Sequence, residues 1–415
     1  MVKAVCIFED KEASQLTPLS LTRPVYDLRC GFTTLKEKIV RQFPLSTISL
    51  HCRDYLQEVV REQNPGVEVN EIDADECLFI NGRILVDSDF VNKLDAERER
   101  LYVDRGTVVA ALLRGPTLRN LTLDNPLPFD RLLHSIETST VETKLIAYPW
   151  HLVHNNAAEI CHDFATLDKG GERHGKIYTG AVLLNEEQIF LGTNSTIKPG
   201  VVLDAESGPI YVGNSVAIMS NAVIQGPAFI GDNSLIKAGA KIYAGTSIGE
   251  VCKVGGEVEE SIIHSYANKQ HDGFLGHAYL GQWVNIGADT NNSDLKNNYG
   301  SVRVYINGDM VDSGSTFVGL FLGDHSKTGI NTMVNTGTVV GVMSNLFGSD
   351  FPPKFIPSFS WGGKDRLVEH NLERALATAA RVMLRRNVEI STAYEALFRH
   401  LFELTAQERG DVLAG

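Results

Sequence analysis

Residues 212–254 read VGNSVAIMSNAVIQGPAFIGDNSLIKAGAKIYAGTSIGEVCKV, and this stretch decides the fold of the second half of the chain. An aliphatic residue recurs at every sixth position, a spacing that neither an amphipathic helix nor an alternating strand produces. A repeat of fixed period indicates a solenoid, in which each unit buries its apolar side against the next. The anchors of the repeat are Val212, Ile218, Ile224, Ile230, Ile236, Ile242, Ile248 and Val254.

A period of six residues predicts a triangular, left-handed parallel β-helix built from hexapeptide repeats. Each hexad would supply a short strand and a turn, and the glycines and other small residues beside the anchors would let the chain bend tightly. The polar interval 289–321 breaks the period, so we predict a loop or hairpin there, where solenoids often carry their sites. The solenoid is predicted to span residues 186–345, with the further anchors Leu191, Ile197, Leu203, Leu280, Ile286, Leu322, Thr328, Val334 and Val340.

The flanks of the repeat follow other patterns. Residues 1–165 alternate strand-like and helix-like segments, which predicts a Rossmann-like α/β domain with a parallel sheet and a ligand site at the carboxyl ends of its strands. Residues 166–185 are charged and rich in glycine, which favours a linker. In a C-terminal extension, residues 346–415, we predict a packing helix from Asp365 to about Leu404.

Composition restricts the partners of the chain. Among 415 residues, 38 are Lys or Arg and 51 are Asp or Glu, and a net charge of −13 argues against nucleic acid. We expect no secretory leader and no membrane span, because the first residues carry acids and no run of apolar residues is long enough. The six cysteines are scattered without a CxxC pair, which favours reduced thiols and a cytoplasmic location.

Several motifs along nearly the whole chain carry a family resemblance. They are LTPLSLTRPVYDLRCG (16–31), FINGRIL (79–85), YPWHLVHNN (148–156), KVGGEVEESIIHSYANKQHDGFLG (253–276), WVNIGADTNNSDLKNNYG (283–300), GDHSKTGINTMVNTGTVVG (323–341) and FIPSFSWGG (355–363). With them the chain resembles the bifunctional sugar nucleotidyltransferases and acetyltransferases of the GlmU type, and most closely a bacterial branch of GlmU-like proteins. The resemblance implies a nucleotidyltransferase-like first domain and an acyltransferase-like β-helix.

For the β-helix, the resemblance implies that a His takes a proton from the amine of an aminosugar 1-phosphate while the amine attacks acetyl-CoA. An Asn follows this base by fourteen residues in the family, which selects His271 before Asn285, and His277 is interpreted as structural. Glu257 stands at the position of an acid that holds the base or the amine, and Lys241 near a phosphate-binding cation. The other implied substrate contacts are Lys269, Phe274, Asp294, Lys296, Asn298, Tyr299 and Arg303. Ser326, Lys327 and Asn335 are implied for acetyl-CoA, with a structural role equally open for each.

The first domain departs from the family at its phosphate loop. The segment EDKEASQLTPLSLTRP (9–24) after the first strand contains no glycine, so backbone N–H groups of a Gly-rich loop cannot hold a triphosphate there. We predict that Arg23 and Arg29 replace it, because guanidinium groups bind phosphate oxygens in pairs.

The resemblance also implies a Mg²⁺ site. The family positions correspond to Asn81 and Asn155, and Asn81 stands where the family has an Asp. Since hard cations prefer anionic oxygen, Asp87 and Asp89 are candidates to supply the missing charge.

The sequence thus predicts a sugar-nucleotide enzyme that acetylates glucosamine 1-phosphate or a related aminosugar phosphate and couples a sugar 1-phosphate to an NTP. Because sites of the family lie between subunits, the resemblance also implies a homotrimer. Two alternatives stay open. One is a single-activity sugar-1-phosphate nucleotidyltransferase, for example for thymidylyl transfer, whose β-helix serves assembly. The other is a non-catalytic sugar-nucleotide sensor or scaffold.

Overall fold

A computed structural model describes residues 2–95 and 97–413, and the residues outside these ranges include the last two of the predicted C-terminal extension. The chain divides into two compact units. The amino-terminal unit comprises Met1–Leu16, Thr22–Leu28 and Thr33–Tyr148. The β-helix unit comprises everything from Pro149 onward together with the short segments Thr17–Leu21 and Arg29–Phe32, so the boundary falls earlier than the predicted residue 165 and is crossed more than once.

The amino-terminal unit is built on one twisted sheet with its first strand, Ala4–Phe8, in the interior. This strand pairs in parallel with Thr47–His51 on one side and Glu76–Asn81 on the other. The spatial order of the strands is Thr138–Thr140, Arg100–Asp104, Thr107–Arg114, Glu76–Asn81, Ala4–Phe8, Thr47–His51 and Glu68–Val69. The predicted α/β class is confirmed.

The predicted parallel sheet also contains antiparallel strands. The apolar run RLYVDRGTVVAAL (100–112) contributes to two antiparallel strands, Arg100–Asp104 and Thr107–Arg114. Arg105 and Gly106 lie between them with φ of 49° and 86°, and this left-handed backbone reverses the chain. The second of these strands is also antiparallel to Glu76–Asn81, so the sheet is mixed.

Helices of this unit begin where the sequence supplies caps. Thr34 accepts a hydrogen bond from the backbone of Glu37, whose carboxylate accepts in return from Thr34, so a capping box starts the first α-helix. The Asp87 side chain caps another helix by accepting from the backbone of Phe90. The α-helices of the unit are Leu35–Gln42, Gln57–Gln63, Ser88–Asn92, Gly115–Arg119 and Phe129–Leu132.

The β-helix unit confirms the repeat. Its strands form three faces within the described residues and pair in parallel, as a left-handed parallel β-helix requires, except that the last strand, Leu367–Glu369, is antiparallel to Ser360–Gly362. The first face contains Lys176–Ile177, Thr196–Ile197, Ala217–Ile218, Leu235–Ile236, Lys253–Val254 and Asn268–Lys269, and Lys327–Thr328, Asn345–Leu346, Ser360–Gly362 and Leu367–Glu369 continue it. The second contains Val182–Leu184, Val202–Asp204, Val223–Gln225, Lys241–Ile242, Glu257–Glu259 and Phe274–Gly276, with Asn291–Asn292 and Met333–Val334 pairing farther on. The third contains Ile189–Leu191, Ile210–Val212, Ala228–Ile230, Thr246–Ile248, Ile262–Ile263, Tyr279–Leu280, Leu320–Leu322, Thr338–Val340 and Phe355–Ile356.

The predicted anchors fill the interior of the coil. Val212, Ile230 and Ile248 are register partners on consecutive coils and are fully buried, as are the other anchors of residues 212–254 to within about 1%. Burying each such side chain stabilises the fold by roughly 1.5–3 kcal/mol relative to exposure. Repetition of this gain over many coils stabilises the solenoid as a whole.

The limits of the β-helix differ from the prediction. Coiling begins with Lys176–Ile177 rather than at residue 186, so half of the predicted linker 166–185 belongs to the first coil. It continues to Ser360–Gly362 rather than ending at 345. The outer coils place Ile177, Leu183, Leu346 and Ile356 in register with the anchors, but the spacing of six is lost between Leu183 and Leu191 and between Leu346 and Ile356. The predicted hairpin is present as Arg303–Ile306 paired with Asp309–Asp312.

Helices flank the coil at both ends. Pro149–Leu167 precedes it, in a region predicted to be domain end and linker. The predicted helix from Asp365 to about Leu404 is instead broken into Leu372–Leu384 and Thr392–Leu404, followed by Ala406–Leu413. Asn387 with φ of 57° interrupts the helical path. No helix in the described ranges is long and apolar enough to cross a membrane.

Candidate functional site

A histidine and an aspartate form a close pair where the polar interval leaves the β-helix. The Nδ1 atom of His277 lies 2.8 Å from Oδ2 of Asp294, and both side chains are largely buried. The imidazole also stacks on the ring of Phe317, with centroids 5.0 Å apart. A carboxylate that accepts from Nδ1 fixes the orientation and tautomer of an imidazole and leaves Nε2 able to accept a proton. The arrangement is that of a positioned general base.

The local backbone holds this pair in place. His277 adopts φ of 46°, and the preceding Gly276 lies so close to the Asp294 carboxylate that any side chain at 276 would collide with it. The Asn292 side chain accepts from the Gly276 N–H and donates to the Gly276 carbonyl, each at 2.9 Å. The pair is therefore fixed by neighbours on the adjacent coil before any ligand binds.

Other titratable groups surround the pair. Nε2 of His154, on the helix Pro149–Leu167, lies 3.0 Å from the carbonyl of Phe317. Burial lowers the pKa of His154 and lowers that of His151 to about 4, so both rings are neutral at pH 7. Burial raises the pKa of the Glu260 carboxyl, which also feels the charge of His277.

Three of the residues predicted from the resemblance lie together on one face. Lys241, Glu257 and Phe274 are successive register partners. The ammonium of Lys241 lies 3.5 Å from Oε2 of Glu257, with more than a third of each side chain exposed. Their predicted roles on substrate remain predictions.

The predicted catalytic histidine lies elsewhere. His271 is exposed, in the turn after the strand Asn268–Lys269. Asn285 pairs with Asn268 and Lys327 on the adjacent coils. Among the residues that the structure describes, no hydrogen bond joins His271 to Asn285. The fourteen-residue spacing therefore does not join these two residues by a hydrogen bond within the described ranges.

Two residues predicted to touch ligands point into the coil instead. Lys269 pairs with Val254 at an interior position, is 1% exposed, and donates to the carbonyls of Gly255 and His271 at 3.1 and 2.9 Å. The hydroxyl of Ser326 is fully buried and bonds to the Gly341 carbonyl. The substrate role of Lys269 and the acetyl-CoA role of Ser326 are corrected to structural ones, because hydrogen bonds within the coil occupy their polar atoms.

The remaining residues that the resemblance implies as ligand contacts lie in the polar interval or at a turn. Their polar groups form hydrogen bonds chiefly with residues near them in sequence. The side chain of Tyr299 is 73% exposed. No contact tests their roles toward a ligand. They are Lys296, Asn298, Tyr299, Arg303 and, in a later hexad, Asn335.

In the amino-terminal unit, polar residues meet at the carboxyl ends of two adjacent strands. The guanidinium of Arg83 binds Asp10 through two nitrogens, with Nε at 2.8 Å from Oδ1. The amide of Asn81 donates to the same aspartate at 2.7 Å. Asp10 also lines a small cavity beside Thr107 and Phe129. This is the edge at which parallel α/β sheets bind ligands.

The residues at this edge do not fit the implied Mg²⁺. Oδ1 of Asn81 already accepts from the Arg83 N–H at 3.0 Å, and its nitrogen donates to Asp10. The Asp87 carboxylate caps a helix. Asn155 lies in the other unit, where its amide donates to the His151 carbonyl. Within the described ranges, no group of three His, Cys, Asp or Glu side chains could hold a metal ion. The prediction of a metal ion at Asn81 is therefore not supported. Asp89 does not complete a group of metal ligands within the described ranges.

The two arginines predicted to bind a triphosphate have different environments. Arg23 belongs to the amino-terminal unit and is 6% exposed. Arg29 belongs to the β-helix unit, where Glu250 accepts from its Nη2 at 2.7 and 2.8 Å and its guanidinium lies 5.3 Å from the Phe229 ring centroid. The charge of Arg29 is thus neutralised within the β-helix unit, which corrects its predicted role as half of a phosphate clamp.

Similarity to known proteins covers part of the chain. Residues 5–172 match the family model described as sugar nucleotidyl transferase. A bifunctional protein GlmU of Synechococcus elongatus is 30% identical over 174 residues, which cover 38% of this chain and 34% of the relative. A bifunctional sugar-1-phosphate nucleotidylyltransferase/acetyltransferase of Sulfurisphaera tokodaii is 30% identical over 174 residues, which cover 36% of this chain and 43% of the relative. The chain thus spans about a third to two fifths of the length of these relatives.

Solved structures share lower identity with the chain. A UDP-N-acetylglucosamine acyltransferase shares 14% identity at a TM-score of 0.31, covering 54% of this chain and 86% of that one. The corresponding enzyme of Francisella novicida shares 16% at a TM-score of 0.30, covering 52% and 71%. Over the matched part of the chain, the resemblance to sugar nucleotidyl transferases and to GlmU-type bifunctional proteins is confirmed.

Proposed function

We propose that the chain is a cytoplasmic, homotrimeric enzyme of sugar-nucleotide synthesis. Its β-helix unit transfers an acetyl group from acetyl-CoA to an aminosugar 1-phosphate, and its amino-terminal unit couples a sugar 1-phosphate to an NTP. The acetyl-transfer half is supported by the His277–Asp294 pair. The nucleotidyl-transfer half is supported by the family match over residues 5–172.

In the proposed acetyl transfer, Nε2 of His277 accepts the proton that the attacking amine loses as its nitrogen bonds to the thioester carbon. The C–S bond then breaks, and the thiolate of CoA leaves and takes up a proton. Asp294 stabilises the imidazolium that forms, because its carboxylate lies 2.8 Å from Nδ1. A positioned base of this kind contributes roughly 10²–10⁴-fold to the rate.

This assignment replaces His271 by His277 as the base. His271 is exposed, and nothing among the described contacts orients its ring, whereas His277 is held by Asp294 and stacked on Phe317. A base must be oriented toward one proton, since proton transfer depends on hydrogen-bond geometry before it depends on pKa. Asp294, predicted as a substrate contact, becomes the positioning residue for this base.

The nucleotidyl-transfer half uses the edge formed by Asp10, Asn81 and Arg83. Arg83 is 1% exposed and bound to Asp10, so it shapes the edge rather than offering an open cation to a triphosphate. The proposal includes no metal step at Asn81. Analysis of the reaction products would identify the sugar and the nucleoside base.

The test is to incubate the full chain with acetyl-CoA, glucosamine 1-phosphate and each NTP in turn, and to identify the products by mass spectrometry. We expect an N-acetylated sugar phosphate and one nucleotide sugar. His277→Ala should lower the first product at least about a hundredfold and retain the second, whose formation is an internal control for folding. Nucleotide sugar alone from the unmutated chain would overturn the acetyl-transfer half and favour the single-activity alternative. No product at all would overturn the proposal in favour of a sensor or scaffold.

A further inference from the structure

Two acidic residues follow the first strand of the amino-terminal unit, and each is bound by its own arginine. The carboxylate of Glu9 accepts from Nη2 and Nε of Arg53 at 3.0 and 3.1 Å. Oδ1 of Asp10 accepts from Nε of Arg83 at 2.8 Å, and Oδ2 accepts from Nη2 of the same guanidinium. The two arginines come from the loops after the strands that flank the first strand on either side. Two ion pairs with two-point contacts therefore hold this edge of the sheet.

The Arg83 pair uses the oxygens that the implied metal ion would need. Oδ1 of Asn81 accepts from the backbone N–H of Arg83 at 3.0 Å, and its nitrogen donates to Oδ2 of Asp10 at 2.7 Å. Arg83 thus donates to all three side-chain oxygens of Asp10 and Asn81. Hard divalent cations bind proteins through oxygens of these kinds. A metal ion could reach them only by displacing the guanidinium.

The Arg83 side chain is held firmly in this position. It is 1% exposed, and its Nη1 donates to the carbonyl of Ile146 at 3.0 Å. The N–H of Ile146 donates to the carbonyl of Arg83 at 2.8 Å, so backbone and side chain are fixed together. The turn before it is tight, because a side chain at Gly82 would come within 2.8 Å of Tyr26. Every nitrogen of the guanidinium has a partner, and moving it would break all of these bonds.

The acids at this edge favour a cation between them. Oε2 of Glu12 lies 3.5 Å from Nη2 of Arg83, on which Asp10 also converges. Burial and then the charge of Asp10 raise the pKa of the Glu12 carboxyl, and the charge of Arg83 opposes this rise. An arginine keeps its proton in proteins, so this positive charge is permanent and needs no ion from solution.

The charge of residue 81 agrees with a monovalent cation at this place. A divalent ion favours several anionic oxygens, and the resemblance implies an Asp at this position. A guanidinium carries one positive charge and is matched by the carboxylate of Asp10. The amide of Asn81 then supplies hydrogen bonds without an additional negative charge.

We propose that the guanidinium of Arg83 takes the place of the divalent cation that the resemblance implies, so that this edge binds no metal ion of its own. Asp10 and Asn81 hold a cation that belongs to the chain. The proposal does not rest on the reactions proposed above, because it concerns only which cation occupies the edge and is tested without substrates.

The test is titration of the full chain with Mn²⁺, which takes the same oxygen ligands as Mg²⁺, followed by calorimetry and by the electron paramagnetic resonance of free Mn²⁺. We expect no binding of one equivalent at this edge in the parent or in Asn81→Asp. The double variant Asn81→Asp/Arg83→Ala should bind one Mn²⁺ at least tenfold more tightly than the parent. Mn²⁺ should also raise the Tm of the double variant, because it binds the folded state. Asn81→Asp alone separates the effect of a missing acid from that of the guanidinium.

The matched control is Asn81→Asp/Arg100→Ala. Arg100 belongs to the same unit and also lies near two acids, with nitrogens 2.9 Å from Glu137 and 3.8 Å from Asp95. This variant should bind Mn²⁺ no more tightly than Asn81→Asp.

Three results would overturn the proposal. The first is binding of one equivalent of Mn²⁺ by the parent that is lost in Asp10→Asn, a comparison that does not require the double variant to fold. The second is a double variant that is folded by circular dichroism and binds Mn²⁺ no more tightly than the parent. The third is an equal gain of binding in the Arg100 control.

Discussion

The early and late coils of the β-helix differ in what fills their interior. From Leu191 to Val258 every coil carries aliphatic anchors in its interior, and the buried residues between them are mostly small Ala, Cys, Ser or Thr. Farther along, Lys269 follows Val254 in register, and Asn292 is the register partner of Val334. The regular coils supply stability, and the irregular ones lie beside the His277–Asp294 pair. The site proposed for acetyl transfer thus lies where the aliphatic repeat becomes irregular.

Polar side chains inside the late coils are hydrogen-bonded to their neighbours. Lys269 donates to two carbonyls, and Asn292 bonds Gly276 through both its oxygen and its nitrogen. The hydroxyls of Thr290 and Thr328 lie 2.9 Å apart. Buried polar groups cost stability unless they are satisfied, so these bonds limit the loss while fixing the backbone beside the candidate base.

The largest effect is expected from placing a charge inside the regular coils, from Leu191 to Val258. Ile236→Asp buries a carboxylate at a fully enclosed aliphatic position and should lower the free energy of unfolding by several kcal/mol. Ile236→Val, the matched control, should cost about 0.5–1.5 kcal/mol. Chemical denaturation measures both. A Tm within a degree or two of the parent for Ile236→Asp would show that the six-residue register is wrong.

A smaller effect is expected from removing the carboxylate of Asp294, beside the irregular late coils. Asp294→Asn removes the charge that stabilises the His277 imidazolium, so acetyl transfer should fall by about a hundredfold, about 2.7 kcal/mol. Rates of CoA release from acetyl-CoA provide the measurement. An unchanged rate would remove Asp294 from the mechanism.

The smallest effect concerns the pH dependence of stability. Burial lowers the pKa of Lys269 from 10.5 to about 8, so between these values the unfolded chain binds a proton that the folded chain does not. Stability from this group therefore rises with pH across that window. In Lys269→Met the rise should be smaller by about 1–2 kcal/mol, allowing for the nearby carboxylates that oppose the shift. Denaturation at pH 7.5 and 10.5 tests it.

The control for that experiment is Lys241→Met, which removes a half-exposed ammonium from the same unit. It should leave the slope of stability against pH as in the parent. Identical slopes in Lys269→Met and the parent would mean that the buried lysine is not charged differently in the two states.

Sequence alone predicted the regular part well and for a simple reason. Aliphatic anchors spaced by six residues have only one interior to fill, so the burial of Ile218 or Ile242 follows directly from the spacing. Lys269 was misplaced because a lysine near a histidine and acids suggests a ligand contact, and nothing local shows that its register partner is Val254. The parallel sheet failed at Arg105 and Gly106, where a two-residue reversal hides within an apolar run.

The candidate base could not have been chosen from spacing. Seventeen positions separate His277 from Asp294 in sequence, and adjacent coils bring them to 2.8 Å. That proximity depends on where the coil resumes after the polar interval, which the period does not reveal. A GH dipeptide before a hexad anchor was the one available signal, because Gly276 permits the close approach of Asp294.

The most direct test of the account compares two histidines in the same assay. The rate of CoA release from acetyl-CoA with glucosamine 1-phosphate is measured for His277→Ala and for His271→Ala, with the parent as reference. The account predicts a loss of at least about a hundredfold for His277→Ala, the lower part of the range for a general base, and a rate near that of the parent for His271→Ala. A hundredfold loss in His271→Ala with His277→Ala unaffected would contradict it.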